Sequence, residues 1–180
     1  MPYIDVQDVP GIRALLAFRP ETAEPLGALA NALLHAPNSL TPGERELIAA
    51  FVSSLNDCTF CFRSHAAIAS WHFGDEDLVD AAVADPVNAD VSPKMRSLLA
   101  LAARVQQGGR AVTEADIARA RGEGASDVEI HDTVLIAAAF CMFNRYVDGL
   151  GAWTPTDKAA YRERAALTAK HGYGMSTPRT

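Results

Sequence analysis

Ser126 to Val147 reads SDVEIHDTVLIAAAFCMFNRYV, and the fold class turns on this stretch. Its inner run, Val134 to Phe143, is the one place in the chain that could pass for a buried strand. Three features argue against that. The run is long for a strand, it contains Ala137, Ala138 and Ala139 in succession, and Ser126-x-x-Glu129 upstream is a capping box of the kind that heads an α-helix. A helix from about Val128 to Val147 is therefore predicted, apolar nearly all round. Such a helix is either the central helix of the domain or lies across a subunit interface. In a chain of 180 residues the two placements together favour a homo-oligomer.

Helix signals continue outward on both sides. Pro10 suits the first turn of a helix running to about Phe18, and Glu21 to His35 carries Leu26, Leu29, Ala30, Leu33 and Leu34 at three-and-four spacing. Thr41-Pro42-Gly43-Glu44 is a capping box with proline at the first helical position, and it opens a stretch with Leu47, Ile48, Phe51, Val52 and Leu55 on one face. Asn56-Asp57 interrupts, and either side chain can cap a helix from about Cys58 to Phe73, which Gly74 stops. Asp75 caps a short helix to Ala84, Ser92-Pro93 opens one ending near Gly108, and Thr113-x-x-Asp116 opens one ending near Gly122. Thr154-Pro155 is expected to start the last helix, ending near Gly172, with a frayed tail from Tyr173 to Thr180. No segment shows period-two alternation between hairpin turns. The class is all-α, a single domain over residues 1–180 without a dividing linker.

Composition narrows the function. The chain is 49% hydrophobic and carries 22 acidic against 16 basic residues, a net charge of −6 that argues against nucleic-acid or anionic-membrane surfaces. Apolar runs are broken by charges, so no membrane span is expected, and Met1-Pro2-Tyr3-Ile4-Asp5 lacks the basic and apolar regions of a secretory signal. The expected location is cytoplasmic. Three cysteines are too few for a disulfide scaffold, and Cys58 and Cys61 have C-x-x-C spacing while Cys141 stands apart in an apolar helix, where it reads as packing.

In reducing surroundings the pair points to redox or metal chemistry. At the start of a helix, backbone N–H groups and the helix dipole favour thiolate at Cys58. Cys61 lies one turn on, close enough for a disulfide, and His65 follows four residues later on the same stripe, where an imidazole can take a thiol proton. Lowering a thiol pKa from about 8.5 to about 6.5 makes thiolate the majority form at neutral pH. Glu46 belongs to the preceding helix, and periodicity alone does not show whether it reaches the cysteines. Zinc would want four ligands where Cys58, Cys61 and His65 supply three, so a metal centre is the weaker reading. Two buried small hydrophobes are the blandest one.

The spacing Glu46-x11-Cys58-x2-Cys61-x3-His65 resembles the active-site signature of the AhpD-like alkylhydroperoxidases in the carboxymuconolactone-decarboxylase-like superfamily. Glu44-Arg45-Glu46-Leu47-Ile48-Ala49 and Asn144-Arg145-Tyr146-Val147-Asp148-Gly149-Leu150-Gly151 look like its peroxidase-related branch, and the likeness spans roughly residues 20–165. The resemblance implies an all-helical trimer or hexamer and a thiol-dependent hydroperoxide reductase for antioxidant defence. One thiolate attacks the peroxide, the other thiol closes a disulfide, and an external dithiol, thioredoxin-like or lipoyl-type, resets the pair. Glu46 and His65 correspond to the proton relay, and no metal or other cofactor is implied. Cys61 is expected to attack and Cys58 to resolve as the more accessible sulfur, although the helix-start argument makes Cys58 the more acidic. The family's histidine before the second cysteine is replaced by Phe60, which removes one imidazole from the relay. The decarboxylase side of the superfamily lacks the cysteine pair. Other readings of the pair are a disulfide reductase or relay and a redox-sensing oligomeric module. Trp71, Phe73, Phe60 and Phe62 are candidates to line a pocket. Arg145 is expected to pair with a carboxylate and Asn144 to satisfy backbone groups.

Overall fold

The computed structural model describes residues 2–173, which form nine α-helices and no strand. The expected frayed tail lies beyond them except for its first residue, Tyr173. Helix starts follow the capping chemistry. Thr41 accepts from the Glu44 N–H (3.2 Å) while the Glu44 carboxylate accepts from the Thr41 N–H (2.8 Å), and this box opens α3, Pro42–Leu55. The same reciprocal pair at Thr113/Asp116 opens α7 (Glu114–Gly122), and the one at Ser126/Glu129 opens α8 (Asp127–Gly149). Single side-chain caps at Asp75 and Ser92 open α5 (Glu76–Ala84) and α6 (Pro93–Gln107). The N-terminal part is α1 (Ile12–Phe18) and α2 (Pro20–Leu34).

Two starts depart from the sequence reading. Neither Asn56 nor Asp57 caps α4 (Thr59–Phe73); Cys58 itself is the N-cap, because Asp57 takes a left-handed conformation (φ 57°) that turns the chain before the helix begins. Thr154-Pro155 does not open α9 (Lys158–His171), which is capped by Asp157. The Pro155 carbonyl is used instead to accept from Tyr161 Oη (2.9 Å) and Arg63 Nη1 (3.3 Å).

The centre of the molecule is α3, not α8. Every residue from Arg45 to Ser53 is buried, and α3 packs against α2, α4, α5, α6 and α8. Leu47, Ile48, Ala49, Ala50 and Val52 join Leu98, Leu99 and Leu101 of α6 and Ile136, Ala137 and Phe140 of α8 in one core. Burial so complete encloses Arg45 as well, and its guanidinium is satisfied by the Leu33 carbonyl at 3.0 Å. The face of α8 turned away from α3 leaves Val128, Leu135 and Met142 exposed. α4 packs along α3 and carries α9 on its other side, while α1 and α2 pack on each other and on α8. No helix among the described residues is long and apolar enough to cross a membrane.

Candidate active site

The turn between α3 and α4 builds the site. Asn56 N–H returns to the Val52 carbonyl (3.0 Å), Asp57 N–H to Ser54 (3.0 Å) and Cys58 N–H to Ser53 (3.0 Å), so the chain reverses within three residues. α4 therefore runs back along α3 and brings His65 against Glu46. His65 Nδ1 donates to Glu46 Oε2 at 2.6 Å, across 19 residues of sequence. With the carboxylate as acceptor the proton of this bond sits on Nδ1, which leaves Nε2 as the uncommitted ring nitrogen. The imidazole is held edge-on to Phe140, ring centroids 4.5 Å apart.

A third member of this group was not read from the sequence. Tyr173 donates from its phenol to Glu46 Oε1, and its oxygen lies 3.2 Å from His65 Nδ1. The expected fraying does not begin here. The Tyr173 N–H donates to Asn31 Oδ1 at 2.7 Å, and Gly172 (φ 74°) turns the chain so that the ring stacks beside His65. Burial, followed by the Glu46 charge and hydrogen bond, pushes the phenol well above its ordinary pKa, so it stays a donor. Glu46 thus receives two hydrogen bonds, one on each oxygen.

The sulfurs lie in a separate small apolar cluster. Cys58 and Cys61 are both unoxidised and pack with Val147, Ile12, Phe60 and Ala152. Cys58 is 0% and Cys61 3% exposed, so the expectation that Cys58 is the more accessible sulfur is overturned. A hydrogen bond with Cys58 pushes the Cys61 thiol far up in pKa, and burial adds to it; Asn144 opposes the shift by a hydrogen bond of its own. Cys61 therefore keeps its proton in the dithiol state. Cys141 sits in α8, 3.6 Å from Asn56 Nδ2.

Asn144 anchors a polar strut beneath the pair. Its Nδ2 donates to Ser53 Oγ (3.0 Å), its Oδ1 accepts from Asn56 Nδ2 (2.8 Å), and Asn56 Oδ1 accepts from Gln106 Nε2 (3.0 Å). Its partners are thus side chains, not the backbone groups anticipated. Arg145 does not pair with a carboxylate either; Nη1 donates to the Cys141 carbonyl one turn back (2.7 Å).

Phe60 covers the cysteines. Gly11 packs on its ring with φ 59°, so closely that a Cβ there would overlap the ring, and glycine is required on both counts. Phe60 and His65 also line a half-open cavity of about 300 Å³ between α1, α2, α4 and α9. Of the other aromatic candidates, Phe62 and Trp71 border a different groove, and Phe73 packs near Gly43. Among the described residues no three His, Cys, Asp or Glu side chains converge as a metal-ligand set.

The profile of the Carboxymuconolactone decarboxylase family matches residues 20–78 and 74–155. A solved structure described as an alkylhydroperoxidase AhpD core, an uncharacterized peroxidase-related protein from Ralstonia eutropha JMP134, is 30% identical, with a TM-score of 0.78 over 86% of this chain and 82% of that one. An uncharacterized peroxidase-related protein from Silicibacter sp. TM1040 is 28% identical, TM-score 0.77, over 86% and 79%. A protein of unknown function from Agrobacterium tumefaciens, at 21% identity and TM-score 0.71 over 87% and 100%, shares the fold. No curated protein matches the sequence.

Proposed function

Because this chain belongs to the carboxymuconolactone decarboxylase family, in its AhpD-like group, we propose that it is a dithiol hydroperoxide reductase working through Cys58 and Cys61. The observation that carries this reading is that Glu46 of α3 and Tyr173, beyond α9, meet at His65 of α4, the helix whose N-cap is Cys58 and whose first turn holds Cys61. A dithiol that keeps a proton on Cys61 needs a base, and His65, one turn further along α4 with Nε2 uncommitted, is the group for that work.

His65 takes the Cys61 proton as the sulfur attacks the terminal peroxide oxygen. The S–O bond forms, the O–O bond breaks, and the alkoxide leaves as alcohol with that proton. The Cys58 sulfur then attacks the sulfenic sulfur of Cys61; the S–S bond forms and the hydroxyl leaves as water with the Cys58 proton. The pair loses two electrons, the peroxide gains them, and an external dithiol returns them by thiol–disulfide exchange. Phe60, in the place of the family's histidine, leaves His65 and Glu46 as the proton path. The apolar residues exposed along α8, Val128, Leu135 and Met142, support assembly into a homo-oligomer through that face.

The test is a thiol count in denaturant before and after one equivalent of an organic hydroperoxide under anaerobic conditions. A fall from three free thiols to one, with stoichiometric alcohol, is the expected result. Survival of all three thiols would remove the peroxide reading and leave a disulfide relay in its place.

A further inference from the structure

The cavity beside His65 has an unusual charge balance. Its walls are mainly apolar, from Ile12, Leu16, Ile68 and Ala165 among others, with polar groups from Thr168, which is buried, and from Ser64, His65 and Tyr173, which are half-buried. The charged side chains that line it are Arg13 of α1 and Arg164 of α9, both exposed. Among the described residues no aspartate or glutamate lines it, although the chain has 22 acidic residues and 16 Lys and Arg. Burial, and after it the positive charge of Arg13, lower the basicity of Arg164. Neither arginine is in an ion pair among the described residues. Two like charges lining one apolar cavity, without a carboxylate among the described lining residues, are complementary to an anion with an apolar body. The volume, about 300 Å³, lies at the small end of the range for ligand pockets, roughly 300–1,000 Å³.

We propose that this cavity binds a medium-chain carboxylate, with the carboxylate between Arg13 and Arg164 and the chain running inward to His65. Resting on the hydroperoxide-reductase reading, the substrate class is then a hydroperoxide of an apolar carboxylic acid. Ile12 and Phe60 link the two parts, because both line the cavity and both pack against the sulfurs.

Calorimetric titration of the full reduced chain with decanoate and with 1-decanol tests the binding without any redox step, since neither probe can be reduced. The expected result is one saturable decanoate site per chain, about tenfold tighter than for decanol, equivalent to about 1.4 kcal/mol, with the preference shrinking as salt is raised. Arg13→Gln combined with Arg164→Gln should bring decanoate to the affinity of decanol and leave decanol unchanged. Both side chains are exposed, and an unchanged melting curve verifies the fold of the variant. Equal affinity for the two probes, absence of saturable decanoate binding, or a preference that survives the double substitution would each overturn the proposal. Decanoate binding without reduction of any hydroperoxide would uphold the cavity assignment and remove the reductase reading instead.

Discussion

Replacing Tyr173 by Phe removes a single oxygen and keeps the ring. The phenol donates to Glu46 Oε1 and His65 Nδ1 holds Oε2, so the change leaves one oxygen of a side chain that is only 3% exposed without its donor. A hydrogen bond to a charged group contributes about 1.5–3 kcal/mol, and a buried acceptor stripped of its partner loses that amount without compensation from water. For a chain of this length each kcal/mol shifts the melting temperature by about 2–4 °C, so Tyr173→Phe should lower Tm by roughly 3–12 °C. The ring stack on His65 and the backbone bond to Asn31 remain, which confines the loss to the oxygen. The assay is a double-mutant cycle with Glu46→Gln, read by thermal or urea unfolding. Coupling of about 1–2 kcal/mol between the two positions is expected, because they act in one hydrogen-bonded unit. A Tm within one degree of the parent, or strict additivity with Glu46→Gln, would refute the claim that the phenol belongs to the site.

Other outcomes follow from the same geometry. The Cys61 thiol has its pKa raised, so its thiolate fraction at neutral pH lies below that of a free thiol and oxidation depends on His65 as the base; His65→Asn should lower the single-turnover rate of oxidation by hydroperoxide at pH 7 by about 10²-fold, with part of the loss recovered at pH 9, and an unchanged rate at pH 7 would contradict that role. The same shift bears on stability: the folded chain holds the Cys61 proton more tightly than the unfolded one, so its contribution is complete below the ordinary thiol pKa, about 8.5, and declines above it, as urea melts across pH 7 to 10 would show. Of the single-serine variants, Cys58→Ser should accumulate a sulfenic acid at Cys61 after one equivalent of peroxide, detected by a dimedone-type trap; accumulation in Cys61→Ser instead would reverse the assignment of the attacking sulfur. Gly11→Ala places a methyl in the Phe60 ring at a positive φ; it should destabilise by at least about 1 kcal/mol and raise the rate of alkylation of the two cysteines by a thiol reagent severalfold, as measured by mass spectrometry.

Much of the fold was legible because local chemistry decides it. Thr41/Glu44, Thr113/Asp116 and Ser126/Glu129 are short-range devices, and the structure shows all three as read. Where a boundary depends on a backbone conformation or a distant partner, the reading slipped. Asp57 in the left-handed region moves the cap of α4 from Asn56 or Asp57 to Cys58, and nothing in the residue types announces that. Pro155, which has the features of a helix start, is kept outside α9, where its carbonyl serves Tyr161 and Arg63. Apolar composition all round left α8 as either the central helix or an interface helix; α3 holds the most buried place, and α8 packs on it while keeping Val128, Leu135 and Met142 exposed.

The site divides the same way. Cys61 and His65 share a helical face by spacing alone. Glu46 stood across a break that periodicity could not bridge, and its place in the site came from the family signature; the turn at Asn56-Asp57 supplies the physical reason. Tyr173 carried no signal at all, since it follows a glycine in a polar tail and acquires its role through a contact 127 residues away in sequence. The burial of Cys58 is likewise tertiary, imposed by Ile12, Phe60 and Val147.

That 127-residue span has a consequence for the order in which a newly made chain becomes competent. The hairpin of α3 and α4 leaves the ribosome with both thiols and the His65–Glu46 pair already aboard, while α8, α9 and the phenol are still to come. Ile12 and Gly11 are present early, but Val147 and Ala152, which complete the cover over the sulfurs, are translated some ninety residues after Cys58. During that interval the nascent chain exposes an open dithiol, and only the arrival of its C-terminal portion both shields the sulfurs and adds the last donor to Glu46. Closure over the two thiols is in this sense a late event of biosynthesis, and an oxidant that reaches the growing chain meets a less protected pair than the one the finished protein presents.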